Sequence, residues 1–252
     1  MSKNIGNYIK HAKIWDWSGY DRTKEFEFWL KLAEKYGKNV LSPMAAIGEA
    51  SAYLAQNGFK VTASDITKEM VEEGLKRYGD IPDLKFIQSD VCDFNLSEKS
   101  YDFAFVGTTD LHHLQTIDDI RKALNCIYQH LRSEGGLGLE LWYPSKESWK
   151  SPKRVFHSLK SKDDNKIKIW KEAETEYNSE NQKVSISQTV YIQNEDKTES
   201  FIHEFELQLY SRNTLLQTLS ECGYCIKAEY GGYSFETWSP NSSNWILEVI
   251  KK

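Results

Sequence analysis

The segment VLSPMAAIGEASAYLA, Val40 to Ala55, decides how the chain is read. A short apolar run enters a turn of small residues and continues into a helix-forming stretch, and Asp65 follows about 20 positions after the turn. Strand, tight turn, helix and a downstream acid form the arrangement of a nucleotide-cofactor site. Such turns normally rely on glycine, which adopts positive φ without steric cost. Here Met44 and Ala46 stand where two glycines are expected, and only Gly48 remains. The substitutions are expected to remove that tolerance of positive φ and to set a thioether against the cofactor space. Met44 can be accommodated if its side chain turns into the sheet.

Outward from the turn, strand and helix patterns alternate. A helical period over residues 23–36 stops at Gly37, a capping signal. After the helix of about residues 48–56, KVTAS reaches Asp65, and Thr67 caps KEMVEEGLKRYG. LKFIQSD then reaches Asp90, and YDFAFVG leads to a loop holding His112 and His113. A helix over about residues 116–131 precedes GGLGLELWYP, the fifth strand. Short strands alternating with helices imply a parallel sheet with right-handed crossovers.

After Pro144 the pattern changes. A polar passage, residues 145–165, precedes three alternating segments at about residues 166–177, 182–193 and 199–210. Period-two alternation between polar turns indicates an antiparallel meander with one buried face. A helix over about residues 212–221 and two strands, YCIKAEYGG and NWILEVIKK, complete the chain. The expected organisation is one α/β domain over residues 1–252, with a β-meander inserted at 145–210.

Composition excludes several classes. The chain of 252 residues is 40% hydrophobic and 27% charged with net charge −5, enough for a substantial core. It has no basic block of the kind that draws nucleic acid, and no apolar run of the roughly 18 residues a membrane span needs. The first twenty residues lack a signal-peptide core. A cytoplasmic protein with neither nucleic-acid nor membrane partner is expected. Cys222 and Cys225 form a C-x-x-C without a second ligand pair, so they read as a helix end and a strand, with no metal expected.

In a doubly wound sheet, ligands bind beyond the carboxyl ends of the strands. Asp65 there suits a ribose diol, and Asp90 beside Val91 suits an adenine edge. The order from Val40 to Lys252, with a helix and two closing strands, resembles the class I S-adenosylmethionine-dependent methyltransferases, in their small-molecule branch. That family's first loop reads V-L-D/E-x-G-x-G-x-G; Val40, Leu41 and Gly48 match it, while Ser42, Met44 and Ala46 depart from it. The resemblance implies a Rossmann-like methyltransferase sheet, mostly parallel with an antiparallel carboxy-terminal strand. It also implies S-adenosyl-L-methionine as cofactor and a small-molecule methyl acceptor.

By position, the resemblance assigns Ser42, Met44, Ala46, Gly48, Asp65, Ile66, Asp90, Val91 and Thr108 to the cofactor. Tyr8 and Trp15, from NYIKHAKIWDW, join them as closing aromatics. His112 and His113, in TTDLHHL, fall beside the transferable methyl group and are the candidate bases. Tyr20, Trp142, Tyr143, Trp170, His203 and Tyr210 are the candidate acceptor lining, and the meander is the expected cover of that pocket. Two alternatives remain open: a non-catalytic module binding S-adenosylmethionine or S-adenosylhomocysteine through a degenerate loop, and a nicotinamide-dependent oxidoreductase. The oligomeric state and the acceptor's nucleophile are not fixed by these residues.

Overall fold

The computed structural model describes residues 8–18, 21–108, 110–142, 155–160, 167–194 and 197–252. Tyr20 and Tyr143 lie outside them, as does most of the polar passage after Pro144. In chain order the elements are α1 (Tyr8–His11), a tight 3-10 segment (Ala12–Ser18), α2 (Thr23–Glu34), β1 (Asn39–Pro43), α3 (Glu49–Gln56) and β2 (Lys60–Asp65). Next come α4 (Lys68–Tyr78), β3 (Leu84–Gln88), β4 (Tyr101–Val106), α5 (Ile117–His130) and β5 (Leu131–Leu141). The remainder are β6 (Val155–Lys160), β7 (Ile167–Asn178), β8 (Lys183–Asn194), β9 (Lys197–Gln208), α6 (Arg212–Glu221), β10 (Tyr224–Tyr230) and β11 (Trp245–Lys251). Among the described residues no helix is long and apolar enough to cross a membrane.

The chain divides into two compact units. The larger, residues 22–143 and 210–252, holds a seven-stranded sheet in the order β10-β11-β5-β4-β1-β2-β3. β3, β2, β1, β4 and β5 pair in parallel, whereas β11 pairs antiparallel with both β5 and β10. This is the mostly parallel sheet with an antiparallel carboxy-terminal strand expected from the sequence. The order reverses at β1, whose neighbours are β2 and β4, and a crevice opens beyond the carboxyl ends of strands at such a point. Apolar runs in β1 and β4 follow from cover on both faces. One hydrophobic cluster joins α2 and α3 to the sheet through Phe28, Trp29, Leu32, Ala52 and Leu54. Another joins α5 and α6 through Ile120, Leu124, Ile127, Leu215 and Leu219.

The glycines of GGLGLEL have a packing cause. A Cβ on Gly136 would stand 2.6 Å from the Tyr36 ring, and one on Gly138 would stand 2.6 Å from the Trp29 ring. Trp29 in turn stacks on Phe105, with ring centroids 5.1 Å apart, and Tyr36 stacks on Phe103 at 5.5 Å. Bare backbone on β5 lets these aromatics lie flat, which brings α2 close to the crevice. At the other end of the chain, Cys222 caps α6, Gly223 takes φ +88°, and Cys225 pairs in register with Ile250. The C-x-x-C is thus a helix end and a strand.

The smaller unit comprises residues 1–21 and 144–209. Its sheet is antiparallel in the order β6-β7-β8-β9. The sequence reading expected three of these strands; the fourth, β6, lay hidden in the polar passage because VFHSLK has no continuous apolar face. Twelve residues of β8 pair without a break against both β7 and β9. Ile14 of the amino-terminal segment forms a small core with Ile169 and Val190.

Gly138→Ala tests the account of α2. The added methyl must displace a ring that is fully buried, and overpacking of this kind costs about 1–3 kcal/mol. The urea midpoint should fall accordingly; an unchanged midpoint would show that α2 can shift freely over β5.

Candidate cofactor site at the carboxyl ends of the strands

The turn after β1 keeps the backbone of a glycine loop without its glycines. Met44 has φ 56°, Ala46 φ 49° and Gly48 φ 79°, so the expected loss of left-handed geometry does not occur. Left-handed backbone costs a non-glycine residue roughly 1–2 kcal/mol, and strain of this kind persists only where its surroundings hold it. Asp65 does much of the holding. Its Oδ2 accepts from Ala46 N–H and its Oδ1 from Thr67 N–H, each at 2.9 Å. Ala45 N–H also donates to Ser64 O at 2.9 Å. Thr67 stands at the N-cap of α4 but makes no side-chain cap bond. Burial pushes the Asp65 carboxyl up, and the bonds from Thr67 and Ala46 pull it back.

The side chains added to the loop are accommodated. Met44 is half-buried against the core cluster that contains Leu41, Val91, Val106 and Leu111. Ser42, in the place of the family acid, is 3% exposed. Gly48 cannot be replaced in the same way, since a Cβ there would meet the Phe86 ring at 2.6 Å.

A second arc follows β4. Thr108, at φ 49°, donates its N–H to Glu140 Oε2 at 2.9 Å and its hydroxyl to Asp110 Oδ2 at 2.7 Å. Glu140 is 4% exposed, and its Oε1 accepts from Tyr233 Oη–H at 2.6 Å and Asn244 Nδ2–H at 2.8 Å. Arg22 donates through Nε and Nη2 to both oxygens of Glu25, at 2.8 and 2.7 Å, and through Nη1 to Glu49 at 2.8 Å. Burial raises the Asp110 carboxyl well above the usual range, with Asp65 and Glu140 adding to the shift. Glu140 is raised by burial and by Glu25. Against these carboxylates the geometry sets Arg22, whose guanidinium is already engaged. Trp29 Nε1–H is buried without a partner among the described residues, and would lie 3.3 Å from a Cβ placed on Gly107.

The remaining expected residues fall in several places. Ile66 is 39% exposed and Val91 6% exposed. Asp90 is exposed, with Oδ1 accepting from Cys92 N–H at 2.9 Å. His112 is buried, and its Nε2 accepts from Trp142 N–H at 2.9 Å. His113 is lowered to about 4, first by burial and then by His112. A base works best with a pKa near the working pH, and His113 lies below that range. Tyr210 donates its hydroxyl to Leu114 O at 2.6 Å.

Trp170 and His203 were expected to line one pocket. The register sets them on opposite faces of the β7–β9 sheet, because Trp170 is an even and His203 an odd position across aligned pairs. Trp170 stacks on Tyr191 with centroids 5.1 Å apart. Tyr8 and Trp15 pack within the smaller unit, Tyr8 lying edge-on to His203 at 4.5 Å and 6.2 Å from Trp15. Arg22, Glu25, Glu49, Asp110, Glu140, Tyr233 and Asn244 were not anticipated. Glu140 carried a usable signal, as an acid inside the otherwise apolar run GGLGLEL of β5.

Ala46→Gly separates strain from side-chain contact. Glycine relieves the left-handed penalty of roughly 1–2 kcal/mol and loses about 0.4–1 kcal/mol through the unfolded chain. A net gain in stability of up to about 1 kcal/mol is expected from denaturant unfolding. A clear loss would show that the Ala46 methyl stabilises the loop by packing.

Residues 40–135 match the family described as a methyltransferase domain. A demethylmenaquinone methyltransferase of Clavibacter sepedonicus is 27% identical over 47% of this chain and 51% of its own length. The chain spans about half the length of the curated relatives it matches. An S-adenosylmethionine-dependent methyltransferase from Clostridium acetobutylicum superposes with a TM-score of 0.80 at 16% identity, over 97% of this chain and 98% of that one. An S-adenosylmethionine-bound amino pentose methyltransferase from Micromonospora echinaspora superposes with a TM-score of 0.75 at 14% identity, over 96% and 97% of the two chains. The chain thus resembles a methyltransferase domain over residues 40–135 and shares, through nearly its whole length, the fold of these S-adenosylmethionine-dependent methyltransferases.

Proposed function

We propose that the protein transfers a methyl group from S-adenosyl-L-methionine to a small-molecule acceptor. The observation that carries this reading is the left-handed backbone at Met44, Ala46 and Gly48, bound to Asp65 where the strand order reverses. Two further features suit the cofactor's amino-acid half. The carboxylates Asp110 and Glu140 are short of counter-charge, which fits a sulfonium and an ammonium. The unpartnered Trp29 Nε1–H suits a carboxylate oxygen. A dinucleotide brings a pyrophosphate, and the same acidic surroundings disfavour it, so the nicotinamide alternative has no support here.

In this reading, Asp65 receives the ribose hydroxyls through lone pairs left beyond its two backbone bonds, since a carboxylate offers about four acceptor sites. Ile66 and Val91 flank the adenine, and Asp90 reads its edge. When bound, the cofactor supplies an electrophilic methyl group on sulfur. The protein's part is alignment, and well-oriented reactants recover roughly 7–11 kcal/mol of a barrier. His112 is committed to Trp142 and His113 is a weak base. The acceptor therefore arrives with a free lone pair, as a neutral amine does, and the amino pentose methyltransferase of like fold agrees with such an acceptor.

Calorimetry with S-adenosylmethionine, S-adenosylhomocysteine and NAD tests the reading: the first two should bind and NAD should not. Asp65→Ala should weaken S-adenosylhomocysteine binding by about 2–4 kcal/mol, the range for lost charge-assisted hydrogen bonds. Unchanged affinity in the folded variant would remove Asp65 from the site. Binding of neither sulfur compound by the natural protein would overturn the function.

A further inference from the structure

Thr108 is β-branched and yet left-handed, at φ 49°, a backbone that such a residue adopts only under outside constraint. Its N–H is held by Glu140 Oε2 at 2.9 Å and its hydroxyl by Asp110 Oδ2 at 2.7 Å. Glu140 is held in turn through its other oxygen. Tyr233 Oη–H donates to Oε1 at 2.6 Å, and Asn244 Nδ2–H donates to it at 2.8 Å. Both donors come from the connection between β10 and β11, so a segment remote in sequence fixes the turn after β4.

That connection is itself a built structure. Gly231 N–H donates to Glu236 O at 2.8 Å, Asn244 N–H donates to Gly231 O at 3.2 Å, and Tyr230 bridges to Thr237. Phe235 is left-handed at φ 61°, and its ring packs on Phe28 of α2 with centroids 4.4 Å apart. Tyr233 lies 6.0 Å from the same Phe28 ring. A bulky residue held left-handed marks a segment whose shape is over-determined. That order delivers two neutral donors to one oxygen of a buried carboxylate.

The titratable and charged groups around Glu140 come from several elements. They are Arg22 and Glu25 at the start of α2, Asp110 after β4, Tyr233, and Glu248 farther along the same sheet face on β11. Burial raises the Glu140 carboxyl most and the Tyr233 bond lowers it. Glu25 raises it again, while Thr108 N–H and Arg22 lower it.

We propose that Tyr233 and Asn244 are positioning residues for methyl transfer, acting through Glu140, whose carboxylate they hold against the turn that receives the cofactor's sulfonium. That a sulfonium lies there rests on the methyl-transfer reading; the bonds themselves do not. S-adenosylmethionine carries a sulfonium where S-adenosylhomocysteine carries a neutral thioether. The groups that the two share cancel in the ratio of their affinities, so that ratio reads the negative charge set toward the sulfur. Once the methyl group has left, the same charge holds the product less tightly, which favours its exchange for fresh donor. The sign with pH follows from linkage. A cation lowers the pKa of a carboxyl beside it, so the preference is present above the free protein's carboxyl pKa and is lost as pH falls through it. Removing a donor to the carboxylate raises that pKa, and the loss then begins at higher pH.

Calorimetry on the full chain with both compounds, between about pH 6 and about pH 8, tests this. The natural protein should prefer S-adenosylmethionine, and the preference should shrink on acidification. Tyr233→Phe keeps the ring against Phe28 and removes only the donor. This change and Asn244→Ala should each lower the affinity ratio by about three- to tenfold near neutrality. Each should also move the acid-side loss up by about one pH unit, with S-adenosylhomocysteine affinity changed far less. Ser239→Ala, which removes a contact with Ser242 in the same connection, should leave the ratio and its pH profile as they are. If neither positioning variant folds, the pH profile of the ratio in the natural protein still decides. A flat profile there, equal weakening of both compounds, a ratio indifferent to both substitutions, or the same shift in Ser239→Ala would overturn the proposal. Binding of neither compound by the natural protein would overturn the methyl-transfer reading and this inference with it, so the two failures are told apart.

Discussion

Ala46 N–H and Thr67 N–H reach opposite oxygens of the Asp65 carboxylate, and the geometry of the crevice follows from that pair of bonds. One joins the turn after β1 to the end of β2; the other fixes the entry to α4. A carboxylate accepting backbone bonds is among the stronger anchors available to a loop. It suffices here to keep Met44 and Ala46 left-handed without glycine. Met44 adds a second restraint, because its side chain belongs to the core cluster on the α5 side of the sheet. The loop is thus held by polar bonds at one point and by packing at another.

Two buried acids on neighbouring strands show how surroundings divide their roles. Glu140 aligns with Ile246 and Glu248 with Gly138, so both acids occupy the same sheet face. Burial would raise Glu248, but bonds from Tyr230, Lys35 and Tyr36 outweigh it and the group is lowered. Glu140 accepts from the neutral donors Thr108, Tyr233 and Asn244 and is raised. The first acid secures α2 to the sheet. The second stays short of positive charge beside the crevice. Environments that push like groups apart commonly mark a division between structural and functional work.

The order of strands and helices was legible because β1 and β4 are buried along most of their length and helices stop at or near glycine, as at Gly37, Gly79 and Gly223. The meander was legible from its alternation, except for β6, whose six residues mix polar and apolar positions on both faces. Asp65 could be singled out by its distance from the turn, yet its bonds to Ala46 and Thr67 could not, since they depend on backbone direction. The left-handed backbone at Met44 and Ala46 ran against local preference, and only tertiary contacts explain it. Arg22 and Glu25 sit at i,i+3 spacing, but Glu49 opens α3, so no spacing rule in the sequence brings it to them. Trp170 and His203 show the opposite limit: composition suggested one aromatic lining, and strand parity divided it.

Parity also determines what the meander can tolerate. Along β8 and β9, twelve consecutive pairs run without a bulge, and each residue's face is set by whether its position is odd or even. Slippage of β9 by one position would turn Phe201, His203, Phe205 and Leu207 outward together and bring Glu206 against Val184 and Glu204 against Ile186. Length changes within these strands are therefore far more damaging than substitutions at single positions. Over time such a sheet is expected to vary the chemistry of its inward residues freely while its strand lengths stay constant. Selectivity can then change one side chain at a time on an unchanging frame.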